Sequence, residues 1–199
     1  MDLDIKLKDE IRSLTYTIEN IVAKASLNIE GNLDLNNIHV KLKDTEYNSE
    51  RFPGLFIRFK LPKCVFIIFR NSKIIMTGLK SFEHVNLSLM RLSMQLHEKC
   101  GIYVDTSLIT PEIVNIVITA DFFKKINLDL AAIVLENTIY EPEVFPGLTF
   151  KLNNPIKSVF LIFGNGKIVL TGIREEKLIE PALKTLGWLL NNNDLFIIS

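Results

Sequence analysis

The chain has 199 residues, of which 48% are hydrophobic and 23% charged, and its 23 Lys and Arg balance 23 Asp and Glu, so the formal net charge is zero. That length is one domain or two small ones with a core of real extent. The charge balance excludes a generally sticky polycation and leaves nucleic-acid binding open only where cations are gathered on one surface.

The longest apolar runs, such as residues 64–69, fall far short of a membrane span, and the charged N-terminus MDLDIKLKDE lacks the apolar centre of a signal peptide. The expectation is a soluble intracellular protein that does not engage a membrane. Cys64 and Cys100 have no metal-ligand spacing, and two reduced thiols are expected rather than a bridge. His39, His84 and His97 are scattered without carboxylate or thiol at ligand spacing, so no metal is expected. No nucleophile elbow, phosphate loop or paired-carboxylate pattern occurs, and neither an enzyme nor a cofactor is expected.

Residues 1–13 read as a loosely held arm. Residues 13–29 (SLTYTIENIVAKASLNI) alternate and are rich in β-branched side chains, which predicts a strand with Asn20, Val22 and Lys24 on one face. Residues 32–42 predict a short helix, with Asp34 early as dipole support. Residues 52–78 (FPGLFIRFKLPKCVFIIFRNSKIIMTG) predict three short strands separated by turns at Pro62 and at Asn71-Ser72. Residues 81–99 predict a long amphipathic helix through Phe82, Val85, Leu89, Leu92 and Leu96, with Ser81 as N-cap and Gly101 as terminator.

The order then restarts. Residues 111–119 (PEIVNIVIT) are a strand in which Asn115, Val117 and Thr119 match Asn20, Val22 and Lys24. Residues 128–136 are a short helix, and residues 145–172 (FPGLTFKLNNPIKSVFLIFGNGKIVLTG) copy the FPGL stretch with one extra residue near Asn154. Residues 175–190 are a second long helix that starts late, with Pro181 in its first turn, or kinks there. The duplication divides the chain into an arm (1–13), a first repeat (14–106), a second repeat (107–192) and a tail (193–199).

Alternate residues of a strand face opposite ways. In the first copy Leu55, Ile57, Phe59, Phe66, Ile68, Ile74 and Met76 share one face. The other face holds Phe52, Phe56, Val65, Ile67, Phe69, Ile75 and Thr77, and it carries a cation at the end of each strand: Arg58, Lys63 and Lys73. The second copy repeats that face with Phe145, Val159, Leu161, Phe163, Val169 and Thr171, edged by Lys151, Lys157 and Lys167. A half-buried sheet ordinarily turns polar residues to solvent. Two apolar faces, one of them rimmed with cations, predict a sheet buried under helices on one side and open on the other to a partner with an anionic rim.

The motifs ENIVA, EYNSERFPGL, VNIVITA, YEPEVFPGL and FLIFGNGKIVLTG resemble the TATA-binding protein family, archaeal type, over residues 15–190. The resemblance implies an α+β saddle: a continuous curved antiparallel sheet of about ten strands with four helices on its convex face. It implies minor-groove binding with a kink driven by inserted side chains, for which this family is itself the standard example. By motif, Phe52 with Phe69 and Phe145 with Phe163 would be the intercalating pairs. Asn20, Val22, Lys24, Ile67, Ile75, Thr77, Asn115, Val117, Thr119, Leu161, Val169 and Thr171 would floor the groove. Arg58, Lys63, Lys73, Lys80, Lys151, Lys157, Lys167 and Arg174 match phosphate-contacting positions, and Glu141 and Glu143 match the contact with transcription factor B.

The implied partners are double-stranded A·T-rich promoter DNA, transcription factor B and the RNA polymerase pre-initiation complex, in the cytoplasm or nucleoid for an archaeal protein and the nucleus for a eukaryotic one. Four departures point to a divergent paralogue. Lys24 stands where the family has a small or hydroxylated residue, residues 48–51 are less acidic, Ser72 replaces a turn glycine, and the second copy has its extra residue. The competing reading is a protein-interaction module on the same saddle with weakened DNA binding. Exposed apolar area of this kind favours a homodimer when DNA is absent.

Overall fold

A computed structural model describes residues 15–197; the expected N-terminal arm lies outside them, as do the first two residues of the expected first strand. The described residues form ten strands and four α-helices. The strands are β1 (Thr15–Ser26), β2 (Thr45–Glu46), β3 (Leu55–Lys60), β4 (Lys63–Ile68), β5 (Lys73–Leu79), β6 (Glu112–Asp121), β7 (Thr138–Ile139), β8 (Leu148–Leu152), β9 (Ser158–Ile162) and β10 (Lys167–Ile173). The helices are α1 (Leu35–Lys41), α2 (Glu83–Gln95), α3 (Leu128–Val134) and α4 (Ile179–Asn192).

The chain divides into two compact units, one spanning Glu19–Asn115 and the other built from residues 15–18 with 116–197. In the first unit the antiparallel ladder runs β2-β3-β4-β5-β1, and in the second it runs β6-β10-β9-β8-β7. The internal duplication is therefore a duplication of strand order as well as of sequence.

Each ladder has one buried face. In the first unit Leu55, Ile57, Phe66, Ile68, Ile74 and Met76 are at most 1% exposed, and Phe59 is buried with them. Helix α2 closes this face with Val85, Leu89 and Leu92. Cys64 on β4 donates its thiol hydrogen to Ser88 on α2 at 3.4 Å, which ties helix to sheet. Burial pushes the Cys64 thiol above its ordinary value, with the Ser88 bond and the charge of Arg91 drawing it partly back. Both cysteines are free thiols. In the second unit Leu148, Phe160, Ile162 and Ile168 are fully buried, as are Ile179, Ala182, Leu183, Leu186 and Leu190 of α4.

Three details depart from the sequence expectations and one agrees with them. Ser81 is not the N-cap of α2; Phe82 occupies that place with no side-chain bond, and the helix begins at Glu83. The expected long helix is split, since α2 ends at Gln95 and a π-helical turn, Leu96–Cys100, carries the chain to Gly101. In the second long helix Pro181 does sit in the first turn, but a 3-10 segment, Glu176–Leu178, precedes it. The segment after α4 packs: Leu195 is fully buried and Phe196 bridges to Ile126.

The extra residue of the second copy has a local cost. In the first unit the β3–β4 ladder runs on to a Lys60↔Lys63 rung, whereas β8–β9 stops at Leu152↔Ser158. One rung is lost, and Lys157 lies in the connection rather than on a strand.

Candidate nucleic-acid interface

The open face of each ladder carries the residues singled out from the sequence. Val65, Ile67, Phe69, Ile75 and Thr77 in the first unit are half-buried, as are Val159, Leu161, Phe163, Val169 and Thr171 in the second. Val22, Asn20, Asn115, Val117 and Thr119 are half-buried too. A row of valine, isoleucine and leucine side chains held half in water is costly for a free protein, since apolar area left exposed forgoes about 25 cal/mol per Å².

The FPGL motif has a geometric reason. Phe52 and Phe69 pack with ring centroids 6.0 Å apart, and Phe145 and Phe163 pack at 5.9 Å. In each pair a ring lies directly over the motif's glycine. A Cβ on Gly54 would come within 2.6 Å of Phe52 Cε1, and one on Gly147 within 2.7 Å of Phe145 Cε1. The loop behind each ring is closed the same way: Phe52 N–H donates to the Asn48 carbonyl and Phe145 N–H to the Glu141 carbonyl, both at 2.9 Å. Phe52 and Phe145 remain 38% and 40% exposed, so both rings are held in place but not enclosed. Phe56 adds a third ring in the first unit, 5.3 Å from Phe52, where the second unit has Thr149.

The Thr-Gly ending of each FPGL stretch is a β-bulge. Three residues of β5 span the distance that two of β1 cover, between Ile21↔Leu79 and Ala23↔Met76, and β10 does the same against β6. Gly78 and Gly172 supply the positive φ, 84° and 88°, that the extra residue requires. The bulge turns the Gly78 N–H onto Asn20, whose Oδ1 accepts it at 2.7 Å. That bond fixes the amide's orientation, because only the oxygen can accept. The Asn20 Nδ2 group then donates to Thr77 Oγ1 at 3.2 Å.

The predicted cations divide into two groups. Arg58 pairs with Glu46 at 3.2 Å and Lys80 with Glu19 at 2.6 Å. Lys63, Lys73, Lys151, Lys157, Lys167 and Arg174 are exposed and make no ion pair among the described residues. Glu141 and Glu143 are exposed in the loop before Phe145, flanking Pro142 and beside Val144, which is 80% exposed.

Lys24 is not a lone ammonium on an apolar floor. Its Nζ lies 2.9 Å from Glu112 Oε2 at the start of β6, with both side chains a little over half exposed. Glu112 and Val114 line one cavity together with Val22, Lys24, Phe69 and Ile75. The sequence reading missed both. The spacing that equates Asn20 with Asn115 also equates Thr17 with Glu112, and Thr17 lines the matching cavity of the second unit beside Thr119 and Phe163. That offset was the available signal.

Comparison with known proteins draws these features together. A family model described as transcription factor TFIID (or TATA-binding protein, TBP) matches residues 15–99 and 110–192. The chain belongs to the TATA-binding protein family. Its fold is the family's: the solved structure of Methanococcus jannaschii TBP superposes with a TM-score of 0.78 at 38% identity, over 90% of this chain and 98% of that one. The TATA-box-binding protein of Methanocaldococcus jannaschii is 42% identical over 171 residues, 85% of this chain and 90% of its own length. That of Archaeoglobus fulgidus is 42% identical over 181 residues, covering 85% and 95%, and TATA-box-binding protein E of Halobacterium salinarum is 43% identical over 173, covering 85% and 89%. The family is one of transcription factors rather than of enzymes. Among the described residues no helix is long and apolar enough to cross a membrane.

Proposed function

We propose that this protein is a promoter-recognition factor that binds A·T-rich DNA through the minor groove, kinks it by inserting Phe52, Phe69, Phe145 and Phe163, and recruits transcription factor B through Glu141 and Glu143. The observation that carries the reading is the pair of phenylalanines in each unit, held over a glycine beside an apolar floor and flanked by unpaired cations. Such a floor meets no guanine amino group in A·T sequence, so it strands no hydrogen bond there. Rings already fixed in position lose little freedom on insertion, which leaves binding free energy to meet a bending cost on the order of 1–6 kcal/mol.

Asn20 supplies direct recognition. Minor-groove A·T edges present only acceptors, and Asn20, with its oxygen held by the Gly78 N–H, keeps a second Nδ2–H that makes no bond among the described residues. Asn20→Asp keeps an oxygen for the Gly78 N–H but replaces that donor with a carboxylate. Affinity for an A·T-rich duplex should fall about tenfold or more, with unchanged thermal unfolding, since a carboxylate cannot donate to the groove acceptors and a polar group left unpaired on burial costs about 1–3 kcal/mol.

The primary test is bending of a doubly labelled A·T-rich promoter duplex across a salt series, with and without transcription factor B. Six unpaired cations predict a slope of log affinity against log salt of about −5, with Arg58 and Lys80 adding little because their carboxylate partners must first be displaced. Absence of bending under every condition, factor present, would move the function to the protein-interaction module.

A further inference from the structure

The two units present different chemistry at equivalent places on the open face. In the second unit Thr119 and Thr17 line the cavity. In the first, the same two positions are Lys24 and Glu112, joined at 2.9 Å. Lys24 lies opposite Ile75 on the β1–β5 ladder, so it stands on the floor itself and not on the rim with the phosphate-facing cations. Along β1, Lys24 lies between Asn20, bonded to Gly78, and Ser26, opposite Lys73, whose carbonyl accepts from the Phe69 N–H; Lys24 and Phe69 line the same cavity.

A phosphate contact does not explain the arrangement. An ammonium aimed at phosphate gains nothing from a carboxylate partner, and a carboxylate on a groove floor is repelled by both strands. Together, though, the two groups set a donor and an acceptor side by side with no net charge. The minor-groove edge of a G·C pair offers the complement: the guanine amino group donates, while guanine N3 and cytosine O2 accept. An A·T pair has nothing there for the carboxylate. We infer that the Lys24–Glu112 pair is a base-reading element, which admits a G·C pair at one position on the first unit's floor, beside that unit's phenylalanine pair. Glu112 accepts from guanine N2–H, and Lys24 donates to cytosine O2 or guanine N3. The second unit has no carboxylate at the matching position, only the Thr17 and Thr119 hydroxyls, and tolerates G·C less.

This inference rests on the proposed function, and its test separates the two. A bending and affinity scan would place a G·C pair at each position of an otherwise A·T duplex, for the wild type and for Lys24→Thr/Glu112→Thr, which installs the second unit's residues. The expected wild-type result is one position where G·C costs less than about threefold, against roughly tenfold or more at its counterpart, the position read by the matching residues of the second unit, since a mismatched pair costs about 1–3 kcal/mol. In the double variant that position should become as intolerant as its counterpart. Its salt slope should stay unchanged because the removed pair is neutral, whereas Lys73→Ala should lower the slope by about one. Glu112→Gln, which keeps an acceptor, should retain part of the tolerance. Equal G·C penalties in both halves for the wild type, or a scan unaltered by the double variant, would overturn the base-reading role while leaving DNA bending intact. Failure to bind any duplex would overturn both.

Discussion

Phe52→Ala/Phe145→Ala should abolish bending of an A·T-rich duplex and weaken binding by roughly 30-fold or more, with the fold preserved. Stacking of a base on an aromatic ring is worth about 1–3 kcal/mol, and the double variant removes one such ring from each unit. The loss should exceed that of the stacking alone. On the proposed reading, DNA without the wedge should stay straighter and meet fewer of the six cations that make no ion pair among the described residues. The fold should survive because both rings are more than a third exposed, Phe145 packing on the Phe163 ring and Phe52 on the Phe56 and Phe69 rings. Phe66→Ala is the contrasting control: that ring is fully buried, and its removal should cost about 3–5 kcal/mol of stability. The check is paired, with energy transfer across the duplex for bending and thermal unfolding for the fold. Loss of unfolding cooperativity in the double variant, or retained bending, would count against a wedge held on a stable scaffold.

Phe52 and Phe66 also show why the sheet was legible in the sequence. Both are phenylalanines in apolar runs, and composition cannot separate them. Alternation can, because a strand sends odd and even positions to opposite faces, and the duplication supplied a second measurement of the same phase. The cations at strand ends then marked which face was open. Partnership was not legible. Arg58, Lys80 and Lys24 read as free cations because their carboxylates, Glu46, Glu19 and Glu112, lie on other strands whose register sequence alone does not set. Ser81 failed as an N-cap for a different reason: the chain enters α2 already helical at Phe82, with Val85 and His84 bonding back to Phe82 and Ser81 carbonyls. Thr-Gly was visible as a motif, but its cause, a bulge that orients Asn20, became visible only with the β1–β5 register.

Gly166→Ala should destabilise the protein by about 2–4 kcal/mol, whereas the equivalent position of the first copy already carries a side chain. The two hairpin turns are built alike. Ser72 N–H donates to the Phe69 carbonyl and Gly166 N–H to the Phe163 carbonyl; Asn71 and Asn165 each accept from the following lysine's N–H through Oδ1. Ser72 sits at φ 59°, in the left-handed region that a polar residue tolerates at modest cost, while Gly166 sits at φ 92°, beyond it. The larger difference is what passes overhead. In the second unit the backbone of Lys124 crosses the turn, and a Cβ on Gly166 would collide with its carbonyl oxygen, which cannot rotate away as a side chain would. That crossing is anchored by Phe122 N–H to the Gly166 carbonyl at 3.0 Å and Ile126 N–H to the Gly164 carbonyl at 3.0 Å, so relief of the clash breaks backbone bonds. A loss of this size lowers the melting temperature by roughly 5–15 °C for a chain near 200 residues. Ser72→Gly should stay within about 1 kcal/mol, because relieved φ strain offsets added freedom in the unfolded chain. The consequence reaches the open face, since this turn holds Phe163 and Lys167 through the Phe163 N–H to Lys167 carbonyl bond at 3.0 Å. Gly166→Ala should therefore also reduce bending at temperatures where the protein remains folded. Equal stability of the Gly166→Ala and Ser72→Gly variants would mean that the Lys124 segment can lift off the turn at little cost.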